Sequence, residues 1–292
     1  MTYNREVGGS IPPGRTKIFL RIVTMQFGCI LSPYDSRDYK LKASATKTYL
    51  PTEYSCPLRA EVKNQQQVYS CVAHATSSIL EYHSTPHVDL STNFIYGLQK
   101  KLFNRDGKGM MLRDACKIAA DYGDALLEDC PGNTEVPNCY SVANETFADQ
   151  DKLNKASNYR ILKYFLCLNN REVKYALYTY GPVLGSIKWY DTFKVDENGV
   201  LTGEQKGSYG YHAVMVYGYT EDGFWCQNSW GKNWGKNGRF FVPNNIKLRE
   251  ARGFVDWNGS DELKEPNPDG FLNLLYKGLN AIVNLIRKLI KK

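Results

Sequence analysis

The chain has 292 residues, 42% of them hydrophobic and 23% charged, with a formal net charge of +7. That length can bury a sizeable core in one large domain or two lobes, and no internal repeat, low-complexity tract or apolar run of bilayer length is present. The positive excess sits at the two ends, in Arg5, Arg15, Lys17 and Arg21 and in Lys277, Arg287, Lys288, Lys291 and Lys292; the body between is nearly neutral, so nucleic acid is not an expected partner.

In chain order, residues 1–24 carry Gly8-Gly9 and Pro12-Pro13-Gly14 with little periodicity and read as an irregular extension, with Met25 a candidate start. Within it the run Ile18-Phe19-Leu20 is cut by Arg21, too short for a secretory signal; a cytoplasmic or virion-associated protein is expected rather than a classically secreted one. Residues 25–258 form the expected main domain. Its first part, to Arg59, is polar with Pro51 and Pro57 and is expected to lie as an extended arm over the body. Val72, Ala75, Ile79 and Leu80 fall at helical spacing and predict a helix from Cys71 to about Tyr82. Asp89-Leu90-Ser91 reads as the cap of a second helix over 92–102, and Met111 to Ala120 as a third that ends at Tyr122-Gly123. Residues 129–145 read as a loop, and a fourth helix is expected over 170–179, capped by Asn170 and stopped by Gly181-Pro182. The pattern then changes to short β-rich runs at 183–187, 212–219, 224–228 and 239–242. Helices first and strands after predict an α+β protein of two lobes, with a site in the cleft between them.

Eight cysteines stand at 29, 56, 71, 116, 130, 139, 167 and 226 with no CxxC pair, so neither a metal site nor a cofactor is expected. Cys130 and Cys139 flank a Pro/Gly/Asn loop and are candidates for a small disulfide, although a chain without a secretory signal gives no reason to assume an oxidising compartment. Cys71 stands apart. The polar stretch Asn64-Gln65-Gln66-Gln67-Val68-Tyr69-Ser70 leads into it and a helix starts at it, so unpaired N–H groups and the positive end of the helix dipole favour its thiolate. Four histidines are candidates for its base. His74 lies on the same helix and reads as a core residue; His83 and His87 flank a turn and read as surface groups; His212 opens a β-run in the other half, from where it can face the cysteine across a cleft. An imidazole in that role needs an acceptor on its far nitrogen, and Asn228, beside Trp230 and Trp234, offers an amide carbonyl under a ring that excludes water.

These three blocks resemble the papain-like cysteine peptidases, with the character of bacterial or phage members. Residues 65–72 are similar to the family's Gln-Gly-x-Cys-Gly-Ser-Cys-Trp signature, and His212-Ala213-Val214 to its His-Ala-Val strand. The run from Asn228 to Gly238 matches the family's Asn-Ser-Trp-Gly-x-x-Trp-Gly-x-Asn-Gly at every fixed position, and the resemblance covers roughly residues 50 to 243. It implies a papain-like two-lobed fold, a helical N-terminal lobe and a β-rich C-terminal lobe, and hydrolysis of peptide bonds in a peptide or protein substrate through a thiolate-imidazolium pair and an acyl-enzyme. It implies Cys71 as nucleophile, His212 as general base and then acid, Asn228 as the residue that orients the imidazole, and Gln65 as oxyanion donor beside the Cys71 backbone N–H. It further implies Gly109 and Met110 as the segment that pairs with substrate and begins the S2 pocket, Tyr211 and Ala213 as lining of that pocket, Tyr69 as a narrowing on the S1 side, and Trp230 as the shield over the His-Asn pair. The pattern departs at Gln66 and Tyr69, which replace glycines, at Val68, which replaces a disulfide cysteine, and at Val72, which replaces a tryptophan. None of these removes a reacting group. No long helical propeptide pattern precedes the arm, so the usual zymogen control is not expected unless residues 25–55 cover the cleft themselves. A cell-wall peptide hydrolase with the same catalytic pair and a catalytically silent binding module are the alternatives.

Residues 259–270, with Pro266 and Pro268, read as a linker. Residues 271–292 set polar positions 273, 277, 280, 284, 287, 288 and 291 at helical spacing against an apolar face. A basic amphipathic helix of this kind suits an anionic membrane surface or a partner groove.

Overall fold

The first helix of the chain is its axis. Helix α1 (Cys71–His83) is buried from Cys71 to Glu81, and its many small residues, Ala73, Ala75, Ser77 and Ser78 among them, let neighbours approach on every side. The computed structural model that shows this describes residues 27–41, 49–58, 60–104, 108–132 and 136–256. The expected extension 1–24, the linker 259–270 and the amphipathic segment 271–292 lie outside the described residues.

Helices α2 (Thr92–Phe103) and α3 (Leu112–Asp121) pack on α1. The Ser91 hydroxyl accepts the Phe94 N–H at 3.3 Å and caps α2, and Asn104 in the left-handed region closes it. Residues 129–145, expected as a loop, instead hold most of α4 (Val136–Ala148), with α5 (Gln150–Ala156) after it. The Pro-Asn-Cys start has the composition of a loop, yet a proline in the first helical turn lacks only an N–H that has no helical partner there. Cys139, Ala143 and Thr146 then form a buried face. Its close approach to α2 depends on Gly97, where a Cβ would stand 2.4 Å from both Cys139 O and Ala143 Cβ. Helix α6 (Asn170–Tyr180) is capped one residue earlier than expected, by Asn169 rather than Asn170. The Asn169 Oδ1 accepts the Glu172 N–H at 3.0 Å while the Glu172 carboxylate takes back the Leu168 N–H at 2.7 Å, a reciprocal cap.

The second lobe is an antiparallel sheet in the order β10-β9-β8-β5-β11-β4. Its members are β4 (Ile161–Leu166), β5 (Val183–Tyr190), β8 (Tyr209–Tyr219), β9 (Gly223–Gln227), β10 (Arg239–Pro243) and β11 (Leu248–Asp256), with a separate hairpin of β6 (Lys194–Val195) and β7 (Leu201–Thr202). Strands β4 and β11 were not expected. Arg249, Glu250 and Arg252 break the apolar pattern of β11, and the strand buries Glu250 and Arg252 because they pair, Arg252 Nε donating to Glu250 Oε1 at 2.7 Å.

The N-terminal arm runs from the lobe junction to the far edge of the sheet. Strand β1 (Cys29–Ile30) pairs in parallel with β3 (Met110–Met111), and the Met110 N–H donates to Gly28 O at 2.8 Å. The Ser32 N–H donates to Glu250 Oε2 at 2.9 Å. Asp38 accepts from Arg113 of α3 at 3.0 and 2.6 Å and from Arg252 of β11 at 3.2 and 3.1 Å, so a buried guanidinium from each lobe holds one carboxylate of the arm. Strand β2 (Tyr54–Ser55) ends the arm on β8. All eight cysteines are free and buried, Cys130 and Cys139 included, so the candidate disulfide is not formed. His87 is exposed as expected, but His83 is not a surface group: its side chain keeps 10% exposure, with Nδ1 3.9 Å from Asp256 Oδ2 at the end of β11.

Candidate active site

Helix α1 presents Cys71 as its first residue, and β8 passes in front of it carrying His212. Cys71 Sγ accepts the Ala213 N–H at 3.4 Å, which ties the thiol to the strand that holds the histidine. Asn228 follows directly on β9, and its Oδ1 lies 2.7 Å from His212 Nε2 and accepts the Ser229 N–H at 2.8 Å. Because a backbone N–H can only donate, the amide oxygen is the end that faces the ring, and His212 donates through Nε2. Trp230 stacks on the imidazole with centroids 4.5 Å apart and planes at 30°. Trp189 and Trp234 pack edge-on against Trp230, and Phe240 against both.

The lobes are stitched beside this cluster. The Gln65 N–H donates to Ser229 O at 2.7 Å and the Gly231 N–H to Lys63 O at 3.0 Å. The fully buried Gln65 side chain donates from Nε2 to Val68 O at 2.8 Å and accepts the Ser229 hydroxyl on Oε1 at 2.6 Å. One residue of the Asn-Ser-Trp run thus fixes the amide of Gln65 while its neighbour fixes His212.

The arm lies across these groups. Gly28 rests on Tyr69, where a Cβ would stand 2.0 Å from the carbonyl oxygen. The Phe27 ring meets His212 at 6.1 Å and Trp230 at 6.4 Å, edge-on. Cys71 and His212 are both fully covered. Burial pushes the Cys71 thiol up to about 11, only partly offset by N–H groups of Ala213, Gly28, Val72 and Cys71 itself. Burial likewise pulls His212 down to about 4 against the opposing bond to Asn228. In this arrangement the two groups are a neutral thiol and a neutral imidazole, and His212 Nδ1 has no hydrogen-bond partner.

The expected site residues therefore come together as follows. Cys71, His212, Asn228, Ala213 and Trp230 form one cluster, with Gln65 held against Ser229 beside it. Gly109 and Met110 bind the backbone of the arm; Gly109, at φ 128°, would place a Cβ 2.9 Å from Gly28 O. Tyr211 is half-buried on β8 and Tyr69 exposed at the rim. Trp189, Ser229, Phe27 and Gly28 were not singled out from sequence. Ser229 stood inside the recognised run, whereas Trp189 reaches the cluster only through the β5–β8 register that sets it opposite Gly210. Among the described residues no group of three or more His, Cys, Asp or Glu side chains is placed to hold a metal ion.

A cysteine heading a buried helix of one lobe, set against a histidine-asparagine pair on the sheet of the other, marks a class of two-lobed α+β thiol proteins. The chain belongs to the papain family of cysteine proteases, whose family model matches residues 52–252. It is 31% identical over 136 residues to cathepsin B-like cysteine proteinase 3 of Caenorhabditis elegans, covering 44% of this chain and 36% of that protein. It is 28% identical over 197 residues to the viral cathepsin of Adoxophyes honmai nucleopolyhedrovirus, covering 63% of this chain and 54% of that one. The chain thus spans about a third to a half of the length of these relatives. Among solved structures, xylellain, a cysteine protease from Xylella fastidiosa, superposes with a TM-score of 0.67 at 22% identity over 79% of this chain and 96% of that chain. Procathepsin B S9 from Trypanosoma congolense gives 0.62 at 19% identity over 79% and 86%. At these identities the structures speak for the fold, an α+β papain-like one.

Proposed function

We propose that the protein is a cysteine endopeptidase that hydrolyses peptide bonds in peptide or protein substrates. The observation that carries this is the 2.7 Å contact from His212 Nε2 to Asn228 Oδ1 under Trp230, on the strand whose Ala213 N–H holds Cys71 Sγ. With Nε2 committed to Asn228, Nδ1 is the nitrogen that takes the Cys71 proton. Once residues 27–30 leave the cleft, water reaches both groups, the burial penalty on their charged forms falls, and the thiolate-imidazolium pair forms. The thiolate attacks the substrate carbonyl carbon, and the Cys71 N–H and the Gln65 amide receive the oxyanion. His212 then gives its Nδ1 proton to the leaving amine and, as base, activates the water that cleaves the thioester. Gly109 and Met110 pair with the substrate backbone, Tyr211 and Ala213 line S2, and Tyr69 narrows S1.

Labelling of Cys71 by an E-64-type epoxide, read by mass spectrometry on the full chain and on a chain beginning at Leu31, tests this. Rapid label on the shortened chain and slow label on the full one are expected; a folded, shortened chain that takes none would point to a silent binding module. Casein cleaved in preference to purified peptidoglycan supports a general endopeptidase over a cell-wall hydrolase. The basic pattern of residues 271–292 supports contact with an anionic membrane surface, and flotation of the full chain with anionic vesicles, lost on removing those residues, is the expected result.

A further inference from the structure

Beside Asn228 lies a cavity of about 10 Å3, the room that a single water needs. Its wall includes His74, Ser78, Gln227, Asn228, Ser229 and Lys63, all buried except the lysine. Two polar atoms of these residues, His74 Nε2 and Asn228 Nδ2, are buried without a hydrogen-bond partner. Their characters are set by what the other end of each side chain does. His74 Nδ1 is 2.9 Å from the Ser70 carbonyl oxygen, so Nδ1 carries the ring proton and Nε2 is a bare acceptor. Asn228 Oδ1 is committed to the Ser229 N–H and to His212, so Nδ2 presents an N–H. A buried acceptor and a buried donor, both unmade, on two residues that line a one-water cavity are costly apart and complementary to the same water.

We propose that this cavity is a site for one ordered water that donates to His74 Nε2 and accepts from Asn228 Nδ2, and that His74 is thereby a positioning residue for the His212–Asn228 pair. The kinetic half of this rests on the peptidase reading; the water site does not. A half-turn of the Asn228 amide must then break the water bridge as well as the Ser229 contact, so the water holds the carbonyl toward His212. The imidazolium that forms in catalysis depends on that carbonyl, and weakening it makes the imidazolium lose its proton at lower pH. The charged or titratable groups that face His74 are Lys63, whose ammonium is 2.6 Å from Glu81 Oε1, and His212 itself. Burial keeps His74 neutral, with its pKa drawn down to about 4, so it stays an acceptor across the working range.

The test joins a crystal structure of the full chain, at a resolution that shows waters, with the pH profile of epoxide labelling at Cys71 in wild type, His74→Leu and His74→Gln. One water within about 3 Å of both His74 Nε2 and Asn228 Nδ2 is expected. His74→Leu should slow labelling about tenfold and move the alkaline limb of its pH profile down by about one unit. His74→Gln, whose amide oxygen can accept from the same water, should stay within about threefold of wild type. An empty cavity, or two variants slowed alike with the alkaline limb unmoved, would overturn the proposal. Should His74→Leu fail to fold, the wild-type density and the glutamine variant still decide it. A wild type that takes no label sinks the peptidase reading alone, and the crystal density then rules on the water site.

Discussion

Gln65 is held from both lobes, by Val68 O on its amide nitrogen and by the Ser229 hydroxyl on its amide oxygen. Its proposed work is to receive the oxyanion, so Gln65→Glu, which keeps the shape and the Ser229 contact but places negative charge there, should lower kcat by about a hundredfold to a thousandfold. Steady-state kinetics with KM nearly unchanged is the expected signature; a loss confined to KM would make Gln65 a binding residue only. Most of this cluster was legible in the chain, because Cys71, His212, Asn228 and Trp230 sit in runs whose fixed positions are close neighbours in sequence. What was not legible comes from distant partners. His83 is covered through Asp256 at the end of β11, and Trp189 meets His212 at 5.8 Å only because β5 and β8 pair in one register. No local pattern carries either fact.

The elements divide in the same way. Helices with regular apolar spacing, α1, α2, α3 and α6, two of them also capped by a side chain, were legible to within a residue or two, while α4 hid behind a loop-like start and β11 behind its charges. Both depend on a fit that only the partner supplies. Gly97→Ala forces a Cβ to within 2.4 Å of α4, and such overpacking costs about 1–3 kcal/mol. A thermal midpoint lower by about 2–4 °C for each kcal/mol is expected, and an unchanged midpoint would show that α2 and α4 can part without cost. The arm offers a sharper case. Gly28→Ala drives a Cβ to 2.0 Å from the Tyr69 carbonyl, a backbone atom at the foot of α1 that has little room to yield. The same overpacking cost corresponds to epoxide labelling of Cys71 faster by about fivefold to a hundredfold. Labelling at the wild-type rate, in a variant with a wild-type midpoint, would show that residues 27–30 are not the barrier.

For the molecule as a whole, burial has consequences for pH. His74 and His212 are both held neutral, with pKa values drawn down to about 4, against about 6.5 in an unfolded chain. Between those values the unfolded chain binds more protons, so the stability that these groups contribute is present above pH 6.5 and is lost as the pH falls toward 4. Each is worth up to roughly 3 kcal/mol. Asp124 and Glu81, raised by burial, act in the opposite sense, their contribution fading as pH rises. The cleanest measure is therefore a difference: the drop in thermal midpoint from pH 6.5 to 4 should be smaller in His74→Leu than in wild type, and equal drops would mean that His74 is not held neutral by the fold. The eight buried thiols allow the states of the chain to be counted. A disulfide reagent that colours on reaction should find nothing to modify in the closed form, two groups, Cys29 and Cys71, once the arm swings out, and all eight after denaturation. Stoichiometry alone would then tell an unlatched chain from a melted one, in a single cuvette and with no substrate in hand.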